Sequence, residues 1–397
     1  MATARNAEIP HLDSREAYFD YFDGIAVENK EDAETKKEGG PKKLPGGLLK
    51  SYLLETVGPG SPPESLSGIF GRSNLNLETI PDSDVAFRVT DTKRQGIALA
   101  EKFSDRYLAL YTMLPSQTSD KLVGSSVLMN PMLDHLWLSS QSFHALWQHV
   151  RNVNNGRRYG KITFEHEALF AVTDDDLHNE SRASRFTMVD RLDEIAGRME
   201  PLQNTYAPLH SIVHLRMPAE GRGGHDVYYD GKVTNRSDSF LDHRNTLQHV
   251  VNLYSQLTSN VEKRLWFSGS EPQNPLAATG AVAEIVFGEE LSEATFKRWV
   301  MTLFNNRKNR FRIGGFHTWL NDRKVHANAI DQHLWQPMML ELTTRRVLAV
   351  LPEGTCGNTI NRLVSNIQRY VDPNVTAYIG DTNYSDLIPE PSAVRVA

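Results

Sequence analysis

The sequence predicts an α+β protein in which a mixed α/β central domain is followed by a C-terminal domain of ferredoxin-like βαββαβ order. Three observations lead there. The 397 residues are 40% apolar and 23% charged, enough to bury cores in two or three domains of ordinary size. From about Asp84, two-residue alternation and 3.6-residue periodicity take turns along the chain. Beyond Ala281 these periods follow one another as strand, helix, strand, strand, helix, strand.

Residues 1–70 read as an N-terminal arm. Its apolar segment FDYFDGIAV (Phe19 to Val27) is placed to dock on the main body or on a partner. NKEDAETKKEGGPKKLPGGL, from Asn29 to Leu48, has too few apolar side chains to offset its ordering entropy and reads as a charged flexible linker. A central α+β domain then spans 71–270. RYLALYTML (Arg106 to Leu114) and LDHLWLS (Leu133 to Ser139) read as strands or buried segments. SFHALWQHV reads as a short helix capped by Ser142. KITFEHEALFAV alternates, setting Ile162, Phe164, His166, Ala168 and Phe170 on one face of a strand. Met188, Val189, Leu192, Ile195 and Ala196 fall at helical spacing between Ser184 and Met199, with Pro201 as the stop. SIVHLRM is a strand, and Asp230-Gly231 in DVYYDGKVT is a favoured hairpin turn. Leu247, Val250, Val251, Tyr254, Leu257 and Val261 then form one stripe of a long helix. GSEPQNP, from Gly269 to Pro275, reads as a boundary.

The C-terminal domain is placed at 276–390. AVAEIVF is its first strand, and Ser292 caps a helix that carries Phe296, Trp299, Val300, Leu303 and Phe304 on one face. RFRIGGF is read as the second strand, lying near the middle of the sheet, and HLWQPMMLELTTRRVLAVL supplies one or two more. Ile360, Leu363, Val364, Ile367 and Val371 mark the second helix, and VTAYIGD is the last strand.

Composition excludes several classes. The single cysteine, Cys356, cannot form an internal disulfide, and no apolar run approaches the ~20 residues of a membrane span. The start of the chain lacks the basic and apolar pattern of an export signal. The expectation is a soluble, cytoplasmic protein with no membrane partner and no cofactor. A net charge of -6 argues against a basic coat for nucleic acid but allows one basic groove.

That groove is sought in FNNRKNRFRIGGFHTWLNDRK, Phe304 to Lys324. Arg307, Lys308, Arg310, Arg312, Arg323 and Lys324 can neutralise phosphates, and Trp319, with Phe304, Phe311 and Phe316, offers faces on which bases stack. Gly314-Gly315 would let a backbone approach or mark a bulge. The plainer reading divides these aromatics between core and surface and leaves the cations as a solvated face.

Two further clusters carry chemistry. In LPEGTCGNTINRL, residues Gly354, Thr355 and Gly357 precede a helix whose free N–H groups favour an anion. The same field would lower the Cys356 thiol pKa, making it a candidate nucleophile if His317 or His326 came near, although capping by Thr355 or Asn358 explains the same residues. Asp331 and His333 share a strand face at i, i+2 and are candidate metal ligands, but neither this cluster nor Glu165, Glu167 and their neighbours has a diagnostic metal spacing. His166 reads as a core histidine. His210 and His214, about 13 Å apart on a strand at roughly 3.3 Å per residue, do not chelate one ion.

The sequence therefore predicts a non-enzymatic binding subunit of a larger assembly, contacting RNA, single-stranded DNA or an acidic protein surface through the C-terminal strip. The alternatives are a hydrolase, as metal-dependent nuclease or thiol enzyme, and a scaffold protein that docks other subunits without touching nucleic acid.

Overall fold

The computed structural model describes residues 8–37, 47–57, 66–154, 158–170, 183–269, 278–304 and 310–390. It is an α+β mixture of helices and antiparallel sheets. The chain divides into two units. The first comprises Met1–Val57, Ser61–Leu136 and Arg216–Asn252, and the second Gly58–Gly60, Trp137–Leu215 and Leu253–Ala397.

In the first unit, strand Lys50–Glu55 runs between Tyr107–Thr112 and Lys232–Asn235, antiparallel to both. All six of its residues are buried, as expected of a strand covered on both faces. Tyr52 and Leu54 join Leu66, Ile69, Phe70, Val123 and Val127, which come from two short helices. The N-terminal arm belongs to this unit. Its helix, Arg15–Lys37, buries Tyr18 and Phe22, and the Phe22 ring lies 5.9 Å from Tyr111 and 5.2 Å from Phe240. Asp23 Oδ1 accepts the Phe240 N–H at 2.7 Å, capping the long helix Phe240–Leu265 from outside. The helix continues through Lys37, into the stretch read as linker. Glu, Lys and Ala are strong helix formers, which favours helix over coil here; residues 38–46 lie outside the described residues.

Glu101 is fully buried in this unit, an arrangement that needs opposite charge and hydrogen bonds to persist. Arg15 Nη2 reaches it at 2.7 Å, Arg244 Nη2 at 2.9 Å and the Tyr111 hydroxyl at 2.7 Å. Both guanidinium groups also cover the Phe19 ring, at 4.8 Å and 5.6 Å.

In the second unit two local readings are corrected. The helix Ser140–Asn154 begins two residues earlier than predicted, with Ser139 Oγ rather than Ser142 accepting the first-turn N–H of Ser142 at 3.2 Å. Residues 184–191 are strand, not helix. Ala183–Arg191 pairs with Tyr159–Glu167 along its whole length, and Val189, counted in the helical stripe, is exposed. Hairpin pairing of a β-branched and aromatic run outweighs an accidental 3.6-residue spacing. A helix follows at Leu192–Gln203, with Pro201 inside it.

The C-terminal sheet is built from β1 (Ala283–Val286), β2 (Ile313–Asn321), β3 (Lys324–Asp331), β4 (Gln336–Thr343), β5 (Arg346–Val350), β6 (Thr376–Ile379) and β7 (Thr382–Asn383), with helices α1 (Glu293–Leu303) and α2 (Asn358–Tyr370). The order across the sheet is β2-β3-β4-β5-β1-β6-β7, antiparallel throughout. Strand β3 is the element that the sequence reading lacks. Strand β2 ends the sheet rather than lying near its middle. Ser292 caps α1 as expected, its Oγ accepting the Thr295 N–H at 3.2 Å.

Helix α2 organises the unit. Ile360, Leu363, Val364 and Ile367 join the sheet core, yet the polar side is buried too. Several polar residues there have partners far along the chain: Asn358 with the Tyr254 hydroxyl, Asn361 with Thr258 Oγ1 at 3.0 Å, and Ser365 with the Leu138 carbonyl at 3.1 Å. Arg362, with no exposed surface, donates Nε to the Phe311 carbonyl at 2.8 Å and Nη2 to Asp331. We predict that R362M, which leaves the Asp331 carboxylate without its buried cation, lowers the unfolding free energy by about 3–5 kcal/mol. A urea titration showing a change below about 1 kcal/mol would contradict this role.

Candidate binding face of the C-terminal sheet

Alternation along the strands gives the sheet two unlike faces. Val325, Ala327, Ala329, Met338, Leu340, Leu342, Val347 and Ala349 point to the core with α1 and α2. The opposite face carries rows fixed by the register. Phe316 stands across from Asn328, then Met339, then Val350, and Gly314 from Ile330 and Pro337. Thr318, His326, Glu341, Leu348, Glu284 and Tyr378 form a third row. No residue of these rows beyond Gly314 is buried. Phe316 is 89% exposed, Met339 54% and Ile330 41%, an apolar grouping of the kind that marks interaction sites.

The cations of the strip do not assemble on this face. Arg307 and Lys308 lie outside the described residues. Arg310 stacks on the Tyr370 ring at 4.5 Å and approaches Glu167 at 4.0 Å. Arg312, predicted to face outward, is buried, with its backbone in the left-handed region at φ 53°. Arg323 pairs with Glu293 at 2.7 Å and Glu290 at 3.6 Å. Lys324 pairs with Glu341 at 2.9 Å, and His326 shares the same carboxylate at 2.8 Å. Hydrogen bonds, chiefly from Lys324, hold the Glu341 carboxyl below its ordinary range. Trp319 lies on the helix side, edge-on to Phe296 at 5.7 Å, and His317 stacks on Phe304 at 4.9 Å. Phe311 is core. Of the four aromatics only Phe316 stands free of the inner face.

At the start of α2 the predicted anion pocket is filled from within the chain. Glu262 Oε1 accepts the Gly357 N–H at 2.8 Å, and Gln336 Oε1 accepts the Cys356 N–H at 2.7 Å. A carboxylate at this position is what the helix field favours. Gly357 has ordinary helical φ, but a Cβ there would sit 2.9 Å from Glu262 Cγ; glycine permits the close approach. Gly354 serves a turn at φ 83°, and Thr355 Oγ1 donates to the Pro352 carbonyl at 2.7 Å. Capping thus comes from Glu262, not from Thr355 or Asn358. Cys356 is fully buried, and His317 and His326 are engaged with Phe304 and Glu341.

Asp331 and His333 are both buried. The Asp331 carboxylate accepts from Arg362, from Thr359 and from the His333 backbone N–H at 2.9 Å, so its charge is answered by a guanidinium. His166 Nδ1 lies 3.3 Å from the Gln368 carbonyl, and burial lowers its pKa. His214 Nδ1 contacts Thr163 Oγ1 at 3.2 Å, whereas His210 Nε2 contacts the Gln203 carbonyl at 3.1 Å. His210 and His144 line a polar cavity of about 660 Å³ together with Gln141, Gln203, Tyr206 and Asn374.

One cluster escaped sequence reasoning. In the first unit Ser51 Oγ lies 2.8 Å from His243 Nε2, His243 Nδ1 lies 3.2 Å from His225 Nδ1, and His225 Nε2 lies 3.6 Å from Asp242. Its geometry resembles a nucleophile and base, but Ser51, His225 and His243 are fully buried, so a substrate has no access to it. Ser51 and His243 are separated by 192 positions, and no local spacing betrays their contact.

A family model described as MJECL33-like protein matches residues 7–385. The chain belongs to this family. The match extends over both units. A relative, the uncharacterized protein MJECL33 of Methanocaldococcus jannaschii, is 22% identical over an alignment of 411 residues that covers 92% of this chain and 93% of the relative. Among the described residues no helix is long and apolar enough to cross a membrane.

The buried imidazole sets a pH dependence. Desolvation, with His225 adding, pushes the His243 pKa well below its ordinary value. The unfolded chain therefore takes up a proton near pH 6.5 that the folded chain refuses, so stability is full above about pH 6.5 and falls as pH drops, by about 1.4 kcal/mol per pH unit. Burial likewise lowers His144, His149 and His166. We predict that H243Q makes the urea midpoint less dependent on pH between about 6.5 and 5 without removing the dependence; an unchanged slope would refute the assignment.

Proposed function

We propose that the chain is a non-enzymatic, cytoplasmic binding subunit of a larger assembly and that it engages a protein partner through the open face of its C-terminal sheet. The observation that carries this reading is the row Phe316, Asn328, Met339, Val350 beside Ile330 and Pro337, an apolar centre that is exposed among the described residues, on the sheet face opposite α1 and α2. Its rim is polar and charged, the anatomy of a docking surface. We read the sheet as a ferredoxin-like core, β6-β1-β5-β4, lengthened at one edge by the hairpin β2–β3. The order of strands and the placement of α1 and α2 on one face support that reading.

Nucleic acid is the second candidate occupant, favoured by the exposure of Phe316. Phosphate binding needs cations that are exposed and not already neutralised; Arg310, Arg323 and Lys324 are held by Glu167, Glu290, Glu293 and Glu341, and Arg312 is buried. This weighs toward protein. The burial of Cys356, Ser51 and His243 weighs against a hydrolase.

The test compares wild type with M339E, a substitution at an exposed position in the centre of the face. A defined polypeptide co-purifying with wild type should lose at least about tenfold in affinity for M339E, read by calorimetry with the isolated partner. Retention of single-stranded RNA or DNA at low salt, with a steep salt dependence and the same sensitivity to M339E, would transfer the face to nucleic acid. If wild type retains neither polypeptide nor nucleic acid, the proposal fails.

A further inference from the structure

We infer that the chain self-associates by pairing strand β2 of one copy antiparallel to β2 of a second copy, about a two-fold axis at His317, so that two C-terminal sheets become one. This concerns the edge of the sheet rather than its face and stands independently of the function proposed above. Two observations support it.

Among the described residues the edge is open from Ile313 to Trp319. Sheets blunt their free edges with charges, proline or very short strands, because an exposed row of N–H and C=O groups invites another strand. At the far end of this sheet the last strand, Thr382–Asn383, has two residues. Strand β2 has nine, Ile313–Asn321; its register against β3 is regular from Ile313 to Trp319, with one irregularity before Asn321 at the hairpin end, and IGGFHTWLN contains no proline and no Asp, Glu, Lys or Arg. Among the described residues, β3 is its sole strand partner.

The strand is also complementary to itself. Gly315 stands at φ 134°, where a Cβ would fall 2.4 Å from the Asn328 carbonyl oxygen, so this position holds no side chain. A two-fold axis at His317 sets Trp319 of one copy across from exposed Gly315 of the other, on the helix side. A large side chain thus covers bare backbone, the arrangement in which an aromatic compensates an edge glycine. Phe316 meets Thr318 on the open side, joining its apolar surface to the neighbouring sheet.

A strand about 30 Å long, at roughly 3.4 Å per residue, buries on the order of 1,000 Å² in such a pair. That is the low end for a specific interface, so the dimer should be weak and concentration-dependent.

The experiment is sedimentation equilibrium of the full chain from about 1 to 300 μM. Wild type should pass from monomer to dimer with a micromolar dissociation constant, and T318K, which places a charge on the exposed edge, should weaken it at least about tenfold. H317C should form a disulfide dimer on mild oxidation, because residues across the axis lie about 4.5–5.5 Å apart, while L320C should not. Native Cys356 is fully buried and does not compete. If H317C misfolds through loss of the stack on Phe304, T318K, whose side chain faces solvent, still decides. A chain monomeric throughout, a dimer indifferent to T318K, a folded H317C dimer that does not cross-link, or another protein's strand recovered on a monomeric chain would each overturn the inference.

Discussion

The second unit depends on a helix that has no solvent face. Asn358–Tyr370 presents aliphatic side chains to the sheet and amide, hydroxyl and guanidinium groups to the opposite side, and nearly all of them are buried. Burying such a polar stripe is costly unless every group finds a partner. The partners come from distant points of the chain: Leu138, Tyr254, Thr258, Phe311 and Asp331. Each hydrogen bond fixes the register of a different segment against the helix. The Asp331–Arg362 pair is the charged one among these, tying the end of β3 to the helix that covers it.

The same helix shows what could be read from the chain and what could not. Its apolar positions, like those of α1 and the long helix, repeat at 3.6 residues, and this local signal located all three. Strand β3 carries only Val325, Ala327 and Ala329 on its buried face, too weak a hydrophobic alternation to stand out from a polar turn. Residues 184–191 misled in the opposite sense, because Met188, Val189 and Leu192 satisfy helical spacing while the backbone is committed to a hairpin. Site geometry was less legible. Gly357 and the loop before α2 were recognised as a place for an anion, and one is there, but the sequence does not disclose that Glu262 supplies it from 95 positions away.

Electrostatics follow one pattern in both units. Cations that look available in one dimension are answered by carboxylates in three: Arg323 by Glu293, Lys324 by Glu341, Arg244 and Arg15 by Glu101. Where solvent reaches such pairs they add little stability; their main effect is to flatten the local field. What remains distinctive on the C-terminal sheet is then shape and apolar area rather than charge.

The seating of the N-terminal helix on Phe240 has a consequence for the order in which the molecule is made. Asp23 and its partner are 217 positions apart, and the first unit draws on Met1–Val57, Ser61–Leu136 and Arg216–Asn252. During synthesis the aromatic side chains of the arm emerge long before the residues that cover them, and strand Lys50–Glu55 waits for Lys232–Asn235. At about 5–20 residues per second the interval is on the order of ten seconds or more. A nascent chain in that interval exposes Phe19, Phe22 and a half-built sheet, a state suited to capture by a chaperone rather than to folding as each segment leaves the ribosome.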